Sequence, residues 1–379
     1  MHRIARTGTA APRSAPCGQC GAWLRFDPAV EQLKCDHCGF VNPVPQLGPA
    51  VEEQDFNAAL AATRDAQETQ TIETVRCGSC AAEFTLDPNS ESGLCPFCGS
   101  AVVRETTRAE QLKPKGVLPF KVTIDQAGEQ FRTWLKRLWF APTKLKQYAR
   151  TDRSLLTGMY TPYWTFDSAT RTAYTGERGD NYTVYVTRTV TRDGRTVTEQ
   201  VPETRTRWTS VSGGVARNFD DVLVLASTSL PERITERLEP WDLPELKPFA
   251  EEYLSGFRAE RYQVELPDGF ARARAKMDAV IREDIRRDIG GDHQRIHSAD
   301  TRHDRVTYKH VLLPVWLAAY QYRSKTYRFV VNGRTGEVQG ERPWSWIKIV
   351  GVIVGVIVAG VAIYLAVHGT GSGGSALPK

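Results

Sequence analysis

The sequence contains no GxxxxGK[ST] anywhere, so no loop can cradle a nucleotide triphosphate in the P-loop manner, and a helicase or ATPase of that design is excluded. It has little excess of either charge: 49 Lys and Arg stand against 44 Asp and Glu, a formal +5. The start, Met1-His-Arg-Ile-Ala-Arg, lacks the apolar h-region of a secretory signal. No cysteine follows Cys98, and one uncharged apolar run long enough for a membrane lies near the other end. What remains is ordinary globular composition, 41% hydrophobic and 25% charged, on 379 residues, enough for two or three domains.

All eight cysteines fall in four CxxC pairs: Cys17-Gly-Gln-Cys20 and Cys35-Asp-His-Cys38, then Cys77-Gly-Ser-Cys80 and Cys95-Pro-Phe-Cys98, each set split by fourteen residues. Two CxxC turns facing each other complete a closed tetrahedral four-thiolate site, the arrangement of a structural zinc ribbon. Two Zn2+ ions are expected, held by Cys17, Cys20, Cys35 and Cys38 and by Cys77, Cys80, Cys95 and Cys98. Four sulfur ligands leave no open position, so the metals are structural rather than catalytic. A disulfide scaffold or thioredoxin-like redox pair fits less well, because no strand-helix context surrounds any CxxC. Counting eight thiolates and two divalent ions brings the net charge to about +1, which removes global charge as an argument for nucleic acid.

The set repeats at a period of 60 residues: Leu24 and Phe26 correspond to Phe84 and Leu86, and Asp27-Pro28 to Asp87-Pro88. A whole ribbon is duplicated. So small a unit buries little apolar surface, and metal binding should supply most of its folding free energy.

Along the chain, residues 1–16 read as a disordered leader, 17–48 as the first ribbon, 49–76 as a polar linker that only spaces the ribbons, and 77–108 as the second ribbon. Residues 110–343 read as an α+β, β-rich core. Asp125 is placed to cap a helix whose Phe131, Trp134, Leu135, Leu138 and Trp139 share a face that packs on a sheet. Tyr160-Thr-Pro-Tyr-Trp164, Leu313-Pro-Val-Trp316 and, more weakly, residues 116–120 share a Leu-Pro or Pro-x-Trp pattern, with proline expected at strand starts or edges. Alternating β-branched runs around Asp193-Gly194 give a hairpin over 182–201, read as a solvated ribbon, with docking by strand addition as the alternative. Residues 231–238 and 246–257 are expected as short helices and 270–289 as a longer one stopped by Gly290-Gly291. His293 and His297, with His303 and Asp304 beyond, are the one other group of candidate metal ligands, read as a polar loop because Gln294 replaces the glutamate a zinc protease needs. A β-meander with a turn at Asn332-Gly333 closes this part.

Ile349 to Val367 is uncharged and long enough to span a hydrocarbon core of roughly 30 Å. Trp344, Trp346, Arg342 and Lys348 mark its near interface, so residues 344–368 are expected to form one transmembrane helix. The basic residues precede it, which places the N-terminal part in the cytoplasm and the tail 369–379 outside, a single-pass cell-membrane topology that keeps the thiols reduced. Gly351 and Gly355 form a GxxxG face suited to a helix dimer. Gly369-Thr-Gly371-Ser-Gly-Gly374 spells GxGxxG without the strand and helix that a dinucleotide needs.

The paired CxxC sets together with Tyr160-Thr-Pro-Tyr-Trp164, Glu239-Pro-Trp-Asp242, Leu313-Pro-Val-Trp316 and Asn332-Gly-Arg-Thr-Gly336 resemble a family of bacterial and archaeal membrane-anchored tandem zinc-ribbon proteins, over Cys17 to about Trp346. Its members carry labels such as primosomal protein N′, superfamily II helicase, or transcription-factor-IIB-type zinc ribbon. The resemblance implies a non-enzymatic adaptor at the membrane, linked to scaffolds of the phage-shock protein A and SPFH types. A nucleic-acid binder using Arg25, Lys34, Arg76 and Arg104 ranks second, and a metal-dependent enzyme using His293 and His297 third.

Overall fold

The computed structural model describes residues 16–44, 51–62, 68–86, 90–138, 156–192, 195–322, 325–341 and 346–368. The first ribbon is a small antiparallel sheet of β1 (Leu24–Asp27), β2 (Gln32–Cys35) and β3 (Val41–Asn42), in that order. Next come β4 (Gln54–Asp55) and the one-and-a-half-turn helix α1 (Phe56–Ala61), capped by the Asp55 side chain on the Ala58 N–H. The second ribbon uses β5 (Thr69–Arg76), β6 (Glu83–Phe84), the hairpin β7 (Ser92–Leu94) and β8 (Ala101–Val103), and β9 (Thr106–Leu112). Arg76 pairs with Glu83 as Pro16 pairs with Trp23, the same contact 60 residues apart. The duplication is therefore structural, although β5 is drawn out to pair with β9 as well.

The connection from 51 to 76 does more than space the ribbons. Gln54 and Asp55 add to the main sheet opposite Tyr308 and Thr307, and Phe56 is buried against Phe166 and Phe270. A polar stretch with one aromatic reads as a linker, but that aromatic, once buried, stabilises its attachment by about 2 kcal/mol.

After β10 (Gly116–Val117), helix α2 (Ile124–Arg137) begins with a capping box, Thr123 and Gln126 each satisfying the other's backbone N–H. The cap is Thr123 rather than Asp125, which sits in the first turn where a carboxylate suits the helix dipole. Phe131 and Leu135 are buried, Trp134 and Leu138 half-buried; Trp139 lies outside the described residues.

Three very long strands dominate: β11 (Thr157–Arg192), β12 (Arg195–Leu225) and β15 (His293–Tyr322), of 36, 31 and 30 residues. Bulges at Phe166/Ser168, Asp167/Ala169 and Thr175/Gly176 let so long a ribbon keep twisting. Between β12 and β15 lie α3 (Glu232–Thr235), β13 (Lys247–Pro248), β14 (Arg258–Ala259) and α4 (Leu266–Ile289). Residues 246–257 are not the expected α-helix: Lys247–Pro248 pairs with β10, and only a 3-10 turn at Glu251–Leu254 is helical. Pro248 and the ladder to Gly116 outcompete local helix formation. α4 starts at Leu266, four residues before the expected start, with Pro267 in its first turn, and its Ala273, Met277, Ile281, Ile285 and Ile289 pack against Trp164, Phe166 and Tyr174 of β11. β16 (Lys325–Asn332) and β17 (Val338–Gly340) complete the meander, giving the central order β12-β11-β15-β10-β13 with β16 and β17 hung on β15.

β15 explains where the ribbons sit. Its odd residues Val311, Leu313, Val315 and Leu317 join the apolar cluster that contains Phe84 and Phe97 of the second ribbon. Its even residues Leu312, Trp316 and Ala318 join the cluster that contains Leu24, Phe26 and Leu33 of the first. Alternate residues of a strand face opposite sides, so the two ribbons cover opposite faces of one sheet. A strand buried on both faces reads as a near-continuous hydrophobic run, which is what residues 311–319 are.

Pro162 and Pro314 sit inside β11 and β15 rather than at strand starts. In an antiparallel strand a residue's N–H and C=O point to the same edge. The Pro162 carbonyl accepts from Ala226, just past the end of β12, and that of Pro314 from Gly333, just past the end of β16. Each missing N–H therefore falls where the neighbouring ladder has already stopped.

Candidate metal centres

Each CxxC turn is closed by the same two backbone hydrogen bonds. The first cysteine's N–H donates to the carbonyl five residues on, and its carbonyl accepts from the residue four on: Cys17 with Ala22 and Gly21, Cys35 with Phe40 and Gly39, Cys77 with Ala82 and Ala81, Cys95 with Ser100 and Gly99. The residue after the second cysteine carries φ of 73°, 73°, 59° and 74° at Gly21, Gly39, Ala81 and Gly99. Glycine adopts this left-handed conformation without steric cost, which explains three of the four; Ala81 accepts the strain.

The four Sγ atoms of each set lie within 4.8 Å of one another. Cys17 and Cys38 are 3.7 Å apart, Cys20 and Cys35 3.5 Å, Cys77 and Cys98 3.5 Å, and Cys80 and Cys95 3.7 Å. Sulfurs at tetrahedral corners about 2.3 Å from a zinc ion would stand about 3.8 Å from each other, so both sets fit the ion. Their electrostatics ask for a cation. Burial opposes ionisation of Cys77, yet hydrogen bonding to Ser100 and to the Cys80 and Ser79 backbone outweighs it and lowers the thiol to about 6, whereas burial pushes Cys80 up to about 11. Neighbouring thiolates repel one another, and a divalent ion removes that conflict. The first set exposes Cys20 and Cys38; in the second only Cys80 is partly open.

Both ribbons dock on the segment that precedes α4. The Phe26 N–H donates to Ser255 O at 3.0 Å, and the Thr85 N–H to Ala259 O at 2.9 Å. Phe26 meets Tyr253 edge-on at 5.5 Å, while Glu83 pairs with Arg261 at 2.9 Å and Arg328 Nε donates to Phe97 O at 2.9 Å. Of the four ribbon bases, Arg25 pairs with Asp36 at 3.7 Å, Lys34 with Asp27 at 3.3 Å, and Arg104 Nε donates to Ser90 O at 2.8 Å; Arg76 is exposed.

The other candidate ligands do not converge. His293 and His297 lie on β15, not in a loop, and four residues along a strand separate them by about 13 Å. His297 points at Glu177, 3.7 Å away, and His303 Nδ1 lies 3.4 Å from Ser168 Oγ. No described histidine joins a group of three or more potential ligands. One such group escapes sequence reasoning: Glu53, Asp167 and Asp220. Burial and the nearby Glu53 raise Asp167 to about 7, and Lys309 pairs with Glu53 at 3.3 Å and with Asp221 at 2.7 Å. That network fastens residues 53–55 to the sheet, and its members are too far apart in the chain to be paired from sequence.

The motifs outside the cysteines meet in the core. Arg334 of Asn332-Gly-Arg-Thr-Gly336, almost wholly buried, bonds Asp242 of Glu239-Pro-Trp-Asp242 through Nε at 3.0 Å and Nη2 at 2.5 Å, and donates to Pro119 O at 3.2 Å. Asn332 Nδ2 donates to Leu238 O, and its Oδ1 accepts from the Arg334 and Thr335 N–H groups. Gly333 sits where a Cβ would come within 2.8 Å of Phe120 and Pro314. These residues tie four segments of the chain together: 119–120, 238–242, Pro314 and 332–335.

Helix α5 (Trp346–His368) contains an 18-residue window, Lys348–Leu365, of mean hydropathy 2.5 with none of it buried. At 1.5 Å per residue it is about 35 Å long and apolar enough to cross a membrane. A Cβ added at Gly351 or Gly355 would meet nothing within 4 Å, so that face of the helix is open.

YdjG of Bacillus subtilis (strain 168), a protein itself described as uncharacterized, is 28% identical to the chain over 345 residues, covering 90% of this chain and 94% of that one. No family model matches the sequence, and no solved structure matches it.

Proposed function

We propose that the chain is a non-enzymatic, membrane-anchored zinc-ribbon adaptor: two structural Zn2+ ions close the ribbons that dock on the core, α5 holds the assembly at the cell membrane, and the folded part faces the cytoplasm. The observation that carries the reading is the end of the long sheet. β15 begins at His293, opposite Gly179, so among the described residues 181–192 and 195–206 pair only with each other. They form an arm about 40 Å long at the rise of an extended strand. Tyr182, Tyr185 and Val190 are exposed on it. A two-stranded ribbon with no covering layer is marginal in water, and a protein laid against it would supply that layer. Charged residues such as Arg188, Glu199, Glu203 and Arg205 keep its edges from pairing indiscriminately.

The test replaces residues 182–205 of the full-length protein by an Asn-Gly turn and compares cross-linked partners in intact membranes, with phage-shock protein A and SPFH scaffolds assayed directly. Loss of those partners with zinc content and membrane location unchanged is the expected result. Capture that ignores both the arm and cysteine substitution sinks the adaptor. Tight, sequence-selective DNA binding that falls steeply with salt would install the nucleic-acid reading instead.

A further inference from the structure

The sheet ends close to the anchor, and a cleft opens there. Glu341, in the cleft wall, precedes Trp346 by five residues, so at most about 18 Å of chain separates it from the first turn of α5. The cleft, of about 690 Å³, lies between α2, α3 with the turn after it, and the β16-β17 hairpin. Arg233, Arg237 and Lys325 line it, with Trp134 and Tyr327 on its apolar side. Trp134 is seated against Phe329 at 5.5 Å, which holds the indole in place while leaving it half-exposed.

The charges in this cleft are not consumed internally. Arg233, 74% exposed, pairs with the partly buried Glu341 at 3.5 Å, a long contact that leaves most of the guanidinium open to solvent. Arg237 and Lys325 have no ion pair among the described residues. Cations beside a tryptophan and a tyrosine match the two layers of a membrane interface, phosphate above and glycerol ester below.

We infer that this cleft binds the headgroup of an anionic phospholipid, Arg233, Arg237 and Lys325 taking the phosphodiester and Trp134 and Tyr327 the glycerol region. The inference rests on the membrane anchor proposed above. It gives the anchor a second role: the lipid fixes the orientation of the core, and so of the arm, relative to the bilayer.

Full-length protein in nanodiscs of phosphatidylcholine, or of phosphatidylcholine mixed equally with phosphatidylglycerol, tests this by deuterium exchange over residues 232–238 and 325–341. Anionic lipid should slow exchange at least about fivefold, the factor one cation contributes at an anionic surface. The triple variant Arg233→Gln, Arg237→Gln, Lys325→Gln should exchange at the phosphatidylcholine rate in both discs. Inorganic phosphate added to phosphatidylcholine discs should change nothing. Equal exchange in both lipids, protection that survives the triple variant, or phosphate reproducing the effect would each overturn the inference. Failure of the chain to co-elute with discs would remove the anchor and the inference together, whereas co-elution without lipid-dependent protection removes the inference alone.

Discussion

Phe26→Ala distinguishes a ribbon built into the core from one tethered beside it. The ring is 3% exposed and crosses the boundary: it meets Tyr253 at 5.5 Å and Phe257 at 6.5 Å, and Phe257 in turn stacks on Phe120 at 4.2 Å. Truncating a buried phenylalanine costs roughly 3–5 kcal/mol, transfer and cavity together, and 3 kcal/mol is already about 150-fold in an equilibrium. That loss falls mainly on docking, because the two hydrogen bonds that close each cysteine turn are backbone bonds in which the Phe26 ring takes no part. The expected result is a protein that keeps its zinc but exchanges and proteolyses faster over 249–261 and unfolds at lower denaturant. Phe40→Ala is the control: Phe40 is 45% exposed, so its removal should stay within about 0.5 kcal/mol. An unchanged midpoint in Phe26→Ala would show that the ribbon hangs free, and loss of zinc would show that site and docking are one unit.

Elemental analysis of the full chain should give two zinc ions, and Cys35→Ser one, because each set has its own four sulfurs; zero or one in the parent refutes the duplicated site. Asp242→Ala should cost about 2–3 kcal/mol by denaturant unfolding, since it leaves the buried Arg334 with only Glu31 at 3.9 Å and the Pro119 carbonyl, with a discount because Asp242 is 39% exposed; Asp242→Leu with Arg334→Met should recover much of it, and full stability in the single variant would refute the pairing. Burial raises Glu260 from 4.5 to about 7, so it stabilises the fold as a neutral acid at low pH and that contribution is lost as pH rises through this interval. Relative to the parent, Glu260→Gln should therefore gain roughly 3 kcal/mol between pH 4.5 and 7 and no more above it, a difference in which acid loss of metal cancels; a pH-independent difference would refute it.

Local chemistry is legible in the residues. The CxxC spacing places eight sulfurs at two points because a turn of four residues aims both thiols the same way, and the 60-residue repeat survives as paired contacts at Pro16 and Arg76. The apolar stripe of α4 and the uncharged run of α5 are equally plain, since each is a period written in consecutive residues. The cap of α2 falls two positions before the one its sequence suggests: Thr123 and Asp125 both suit an N-terminus, and only backbone geometry separates them. The strand lengths of β11, β12 and β15 are out of reach, because a solvated ribbon of Thr, Arg and Glu has the composition of a loop and is held by cross-strand register. His293 reads as loop for the same reason and belongs to a strand.

Packing across the sheet is what the linear order does not express. Residues 54–56 look like spacer until Tyr308 and Phe166 are beside them, and Arg334 and Asp242 look like surface charges until the chain folds them together. The sulfur clusters, the repeat and the membrane-length helix follow from the order of residues alone, because all three are products of short-range spacing. That the two ribbons clasp opposite faces of one sheet, that the sheet runs on into a two-stranded arm, and that a basic cleft opens between α2, α3 and the last hairpin emerge only on folding, because each depends on contacts between residues tens to hundreds of positions apart.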